Sequence, residues 1–171
     1  DRTRHKLYVS DGTQMFVIDT LTDAVTNIQA QGAGFYGSLT VNDVTNKIYV
    51  VRTSARDMVE IDGNTLAASA PFTFEYPQPL QSGVNRRTNK LYVKLLTGPD
   101  YQGTICIQDR NQTAPRCSYI EGNDWGGIVV NEATNTVYLG VEIGYRIGML
   151  DGTTDRLVTI PMDSGTGTSG S

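Results

Sequence analysis

Six residues of this 171-residue chain have side chains suited to gripping a ligand: Tyr36, Tyr76, Tyr101, Asp124, Trp125 and Tyr145. They lie in short segments that resemble neither one another nor the rest of the chain: QAQGAGFYG (29–37), EYPQPLQ (75–81), LTGPDYQG (96–103), EGNDWGG (121–127) and VEIGYR (141–146). Glu75, Asp100, Glu121 and Glu142 are interleaved with them. An aromatic plate beside a carboxylate suits a sugar ring, whose C–H face stacks on the plate while its hydroxyls donate to the acid. The same pairing suits a protein surface, because Tyr and Trp are favoured interface anchors. A third reading makes these aromatics plugs that close the ends of the fold. The expected partner is therefore a protein or a carbohydrate.

Other chemistries find little support. His5 is the sole histidine, and it occupies a turn position that Asn46, Asn89 and Asn135 fill elsewhere, so it reads as a turn residue. There is no second His and no Cys-x-x-Cys, so neither a metal nor a cofactor is expected. The Asp-Gly pairs at 62–63 and 151–152 lack the spaced carboxylates of a calcium loop and read as hairpin turns. With 14 basic against 18 acidic residues and no basic cluster, a nucleic acid is not an expected partner. No run of 18 apolar residues occurs, so membrane insertion is not expected either.

The elements that must carry the six residues come from an internal repeat. VNDVTNKIYVV (41–51) returns as VNEATNTVYLG (130–140). Aligned on KLYV at Lys6, KIYV at Lys47, KLYV at Lys90 and TVYL at Thr136, the copies are spaced by 41, 43 and 46 residues. Ahead of the aromatic strand, a short apolar run ends in Asn42, Asn85 or Asn131. Behind it, a strand ends in Asp19, Asp62, Asp109 or Asp151, and a fourth strand closes the unit. Gly, Thr, Asn, Asp and Ser outweigh helix formers, so the chain reads as all-β. A period near 40–45 residues then predicts β-propeller blades, each a four-stranded antiparallel sheet (strands A to D). The expected blades are 1–32, 36–77, 79–122 and 125–162, the first lacking its innermost strand A because Asp1 aligns with Asn42. Residues 163–171, DSGTGTSGS, read as a linker-like tail.

Cys106 and Cys117 sit eleven apart across a predicted hairpin, where opposed strand residues lie at disulfide distance. Such a bridge would contribute about 3 kcal/mol on the loop-entropy account and suits an oxidising compartment. Asn111-Gln112-Thr113 between them fits a weak glycosylation sequon.

The pattern Val-Asn-x-x-Thr-Asn-Lys-Ile-Tyr-Val, followed by a strand ending in Ile-Asp-Gly, resembles the YVTN family of β-propeller repeats over about residues 5–162. The resemblance implies a secreted, periplasmic or cell-surface setting and a ring of about seven blades when complete. Four units therefore predict part of a longer propeller, a subunit that borrows a strand or face from a copy of itself, or a small ring. The expected function is a non-catalytic recognition module that binds through the B–C and D–A loops. The rivals are a structural subunit of a surface assembly and a fragment of a propeller enzyme, since some relatives are oxidoreductase subunits or lyases.

Overall fold

The computed structural model describes residues 1–28, 36–75, 78–97, 102–109, 115–123, 126–141 and 146–162; for residues 36, 121–123 and 141 it describes the backbone alone. Each copy of the repeat folds as one antiparallel sheet whose strands lie in chain order. The first holds β1 (Lys6–Ser10), β2 (Met15–Asp19) and β3 (Val25–Ile28). The second holds β4 (Tyr36–Asn42), β5 (Lys47–Arg52), β6 (Asp57–Asp62) and β7 (Phe72–Thr73). The third holds β8 (Gln78–Asn85), β9 (Lys90–Thr97), β10 (Gln102–Asp109) and β11 (Arg116–Asn123). The fourth holds β12 (Ile128–Asn131), β13 (Thr136–Val141), β14 (Arg146–Asp151) and β15 (Leu157–Pro161). Three sheets of four strands and one of three are consistent with propeller-like blades, and β1 of the three-stranded sheet matches β5, the second strand of its neighbour.

The sheets stack in sequence through three apolar cores, and the two-residue period of a strand explains how. In β5, Ile48 and Val50 point back to Tyr8, Met15, Val17 and Ile28 of the first sheet. Tyr49 and Val51, one step out of phase, point forward to Leu91, Val93 and Leu95 of the third. Tyr92 in turn faces Val137, Leu139 and Leu150 of the fourth. Strands such as KIYVV and TICI are apolar on both faces because a sheet covers each side. Each fully buried side chain contributes about 1.5–3 kcal/mol, and nearly all of that burial lies between sheets.

One strand is shorter than expected. The run APFTF (70–74) pairs only at Phe72 and Thr73, with a single bridge at Ala68 to Ile61. Pro71 has no N–H for the ladder, which confines pairing to either side of it. Phe72 and Phe74 meet edge to face, 5.3 Å apart. The disulfide forms as expected: Cys106 and Cys117 are opposed residues of β10 and β11, with Cα atoms 4.0 Å apart.

The turns at the end of the stack formed by the A–B and C–D connections repeat from sheet to sheet. His5, Asn46, Asn89 and Asn135 all adopt left-handed backbone, φ between 52° and 57°, as their matching places predict. Asn42, Asn85 and Asn131 each cap the turn they open: Oδ1 accepts two amides, as from Val44 and Thr45 at 3.1 and 3.3 Å. Asp19, Asp62 and Asp151 cap the other turn in the same way. That turn is longer than the two-residue Asp-Gly hairpin expected from the sequence. It closes through the amides of Asp23, Leu66 and Asp155, which donate to the Asp carbonyl four residues back at 2.8 Å, and those three residues carry the positive φ. Gly63 and Gly152 do not. They are glycine because a Cβ would come 2.2 Å from Asn46 Oδ1 and 2.4 Å from Asn135 Oδ1.

Polar links along this end tie sheet to sheet. Asn42 Nδ2 donates to Asn89 Oδ1 at 2.8 Å, and Asn85 Nδ2 to Asn135 Oδ1 at 2.7 Å. Asn46 Oδ1, the matching acceptor one rung earlier, is buried without a partner. The aligned residue there is Asp1, which has no side-chain amide to offer. Arg86 bridges Asp43 of the second sheet at 3.0 Å and Glu132 of the fourth at 2.6 Å. Arg86 holds the Glu132 carboxyl below the usual range.

Substitution at the rung and at the turn carboxylates separates their contributions. Asn89→Ala removes the acceptor of Asn42 and places a Cβ-bearing residue without a polar side chain at φ 57°. It should destabilise by about 2–4 kcal/mol, seen as a lower urea midpoint, and Asn89→Gly should recover the backbone part. Acid probes the other turn. Lys6 and Lys47 depress the carboxyls of Asp19 and Asp62 to about 2, helped by the turn amides. Folded-state values lie below the unfolded ones, so this stabilisation is full above about pH 4 and is lost as pH falls toward about 2. Lys47→Met should flatten that part of a melting-temperature profile.

Candidate binding face

The B–C and D–A loops share the opposite end of the stack. Of the six candidate residues, Tyr76, Tyr101, Asp124, Trp125 and Tyr145 lie outside the described residues, as do Asp100, Glu142 and Asn111. The backbone of Tyr36 opens β4, paired with Arg52 across a bulge between Tyr36 and Ser38. Glu75 is exposed and borders a 480 Å³ groove with Phe72, Phe74, Pro115 and the disulfide. Beneath the loops lies a platform of strand ends whose polar groups are well defined.

Its strongest element is an ion pair inside the fold. Arg52 and Asp57 bracket the B–C turn of the second sheet as opposed strand residues. Their side chains are 5% and 8% exposed. Arg52 Nε donates to Asp57 Oδ1 at 2.7 Å and Nη2 to Oδ2 at 2.6 Å, a two-point fork. Lys94 in β9 is completely buried. Its amine donates to the carbonyl of Gly126, the residue after Trp125, and to that of Gly140 at 3.3 Å. A lysine inside KLYVKLL was the available signal, for a charge amid five apolar neighbours must find partners when both faces are covered.

The remaining described links at this end differ between the second–third and third–fourth junctions. Ser38 and Ser82 join the second and third sheets, the Ser82 amide donating to Ser38 Oγ at 3.0 Å. Thr53 Oγ1 donates to the Pro79 carbonyl at 2.8 Å. Gln81 Oε1 accepts from the Ile128 amide at 3.1 Å, joining the third and fourth. Gly126 and Gly140 let two backbones approach closely, since a Cβ on Gly126 would lie 2.4 Å from the Gly140 oxygen. The Gly-Gly beside Trp125 thus seats a loop on β13 and on the Lys94 amine. Among the described residues, no three His, Cys, Asp or Glu side chains gather as metal ligands.

Breaking the Arg52–Asp57 fork should show how far the platform depends on it. Asp57→Ala takes the carboxylate away from a buried guanidinium and should cost about 3 kcal/mol or more. Arg52→Met combined with Asp57→Ala should cost less than Asp57→Ala alone, measured as urea midpoints.

No family model and no curated protein matches the chain. Solved structures do. The chain is similar to one in the crystal structure of a nidogen/laminin complex (TM-score 0.77, 11% identity), covering 93% of itself and 61% of that chain. It is similar to a streptogramin B lyase (TM-score 0.77, 12% identity, 94% and 52%). It is also similar to the Myceliophteria thermophila Cps50 (Swd1) beta-propeller domain (TM-score 0.72, 12% identity, 96% and 54%). The chain spans between half and two thirds of each of these, and at such identities the likeness shows the fold alone.

Proposed function

We propose that this chain is a rigid, non-catalytic recognition module that binds a protein or a carbohydrate through its B–C and D–A loops. The observation behind this reading is the contrast between the two ends of the stack. At one end the same turn, the same left-handed residue and the same asparagine rung recur. At the other, the two junctions with described links use unlike devices: a serine pair and Thr53 on a carbonyl between the second and third sheets, Gln81 on an amide and a buried lysine between the third and fourth. Repetition serves the fold, while unlike loops fixed to a stiff base are what a binding face requires. Tyr36, Tyr76, Tyr101, Asp124, Trp125 and Tyr145 are the proposed contacts.

The repeat pattern supports kinship with YVTN-type propellers, and the Cys106–Cys117 disulfide suits a secreted, periplasmic or cell-surface setting. A second reading is a structural subunit of a homo-oligomeric or fibrous surface assembly joined through open blade edges. Fold likeness to a lyase carries no activity across.

Trp125 is the sole tryptophan, so its emission reports on the face directly. Panels of soluble oligosaccharides and immobilised peptides should contain ligands that shift it. Trp125→Ala should weaken their binding at least about tenfold, ~1.4 kcal/mol, with the melting temperature held. Parallel loss of binding and melting temperature would make the aromatics plugs instead.

A further inference from the structure

We infer that the cleft between the second and third sheets is a binding site for a small organic cation, whose ammonium group meets Glu60 while its apolar body lies on Tyr49, Met58 and Phe72. The site draws only on strands inside the stack, and nothing in it depends on the loop-face reading.

The strand register gives each sheet one position that can be compared across junctions. The residue opposite the repeated tyrosine is Val17, Glu60, Ile107 and Met149 in the four sheets, and it shares the forward face with that tyrosine. The next residue along faces back, and is Ile18, Ile61, Gln108 and Leu150. Between the first and second sheets, Val17 and Ile61 enter one core, 6% and 0% exposed. Between the third and fourth, Ile107 and Leu150 do the same, 1% and 0% exposed. Between the second and third, the two positions hold Glu60 and Gln108. Both are half-buried, and neither belongs to the apolar core of that junction. Where its neighbours take two apolar side chains, this junction takes a carboxylate and an amide, and half-burying them costs desolvation.

Space accompanies the exchange. Glu60, Gln108 and Ser69 line a cleft of 290 Å³ together with Tyr49, Met58 and Phe72. That size lies near the lower end for small-molecule sites. Strand D explains why the cleft is open. Phe72 opposes Met58 as Ser118 opposes Ile105, the equivalent residue of the third sheet. Two residues earlier, Ala70 therefore stands where Arg116 stands. Arg116 reaches across to Asp155 of the fourth sheet and spans the outside of its junction. Ala70 offers a methyl group at that level and lines the cleft instead.

Charge selects the ligand. Lys47 pairs with Asp62 at 2.9 Å, as Lys6 pairs with Asp19 at 2.7 Å. The first sheet completes that pair without a second acid, since Val17 holds the matching place. Glu60, 3.2 Å from the Lys47 amine, is thus an additional carboxylate, and Lys47, Asp62 and Glu60 together carry one net negative charge. Of the residues lining the cleft, Glu60 alone is charged at neutral pH. Tyr49 opposes Glu60, and Phe72 opposes Met58 on the same face, so two rings stand beside the carboxylate. A carboxylate attracts a cation and repels an anion, and aromatic faces add to that preference.

The test reads the cleft through Met58. Isotope-labelled methionine methyl groups are followed by NMR in the full chain, with Met15, buried between the first and second sheets, as the internal reference. Benzylamine, phenethylamine and butylamine are each added up to about 10 mM, and at least one should shift the Met58 methyl saturably with a Kd of about 1 mM or tighter while Met15 stays still. The alcohol of the same skeleton should bind at least about tenfold more weakly. Glu60→Gln should weaken the amine at least about tenfold and leave the alcohol within about threefold. Ala70→Arg, which restores over this cleft the side chain the third sheet carries, should abolish both shifts. Both variants should melt cooperatively, as the parent does. A Met58 methyl unmoved by all three amines would overturn the inference and leave the cleft to water. So would equal affinity for amine and alcohol, or amine binding indifferent to Glu60→Gln or to Ala70→Arg.

Discussion

A single sheet of short strands cannot bury two apolar faces by itself. Ile48, Val50, Val59 and Ile61 are fully buried on one side of the second sheet, Tyr49 and Val51 are buried on the other. Remove either neighbour and one of these faces meets water. Association of the sheets and formation of the sheets are therefore the same event, and the repeat is its record in the sequence. A run such as KIYVV makes sense only between two others like it.

The polar groups divide the labour by end. Turns that recur among the described residues are solved once and copied: a capping Asn or Asp, a left-handed residue and, at two junctions, an amide passed to the next sheet. The rung that fails, at buried Asn46 Oδ1, fails where Asp1 stands in for an asparagine. At the loop end the solutions are particular. A buried arginine fork holds one loop, and a buried lysine holds the backbone beside Trp125. Burying such groups costs desolvation that apolar residues would avoid, and here the cost is met by the fork between Arg52 and Asp57 and by two carbonyls on Lys94. Fixed loop bases are what unlike loops need in order to present unlike surfaces.

Much of this is legible in the sequence, for reasons tied to particular residues. Strand order, the missing first strand and the left-handed asparagines follow from alignment at four positions, because a repeat lets each copy check the others. The disulfide follows from hairpin register. The length of the C–D turn does not, because Asp-Gly in isolation is a two-residue signal. Here Asp62 instead caps a longer turn whose positive φ falls on Leu66, a residue with no local preference for it. Pro71 marks the break before β7, yet an apolar run on both sides of it still reads as one strand. Arg52, Asp57 and Lys94 are hard to find beforehand because nothing in a linear chain says which charges the stacking will enclose. The strand order fixes which end of the stack the B–C and D–A connections leave from, but Tyr76, Tyr101, Trp125 and Tyr145 lie outside the described residues.

Folding one sheet alone would show whether a sheet can hold together without its neighbours. A segment spanning residues 78–123, with its disulfide formed, contains all four strands of the third sheet. If stability resides between sheets, its circular dichroism should show no cooperative thermal transition, while the whole chain melts sharply. A cooperative transition in the isolated segment would contradict the account, for it would show that one sheet can supply its own core.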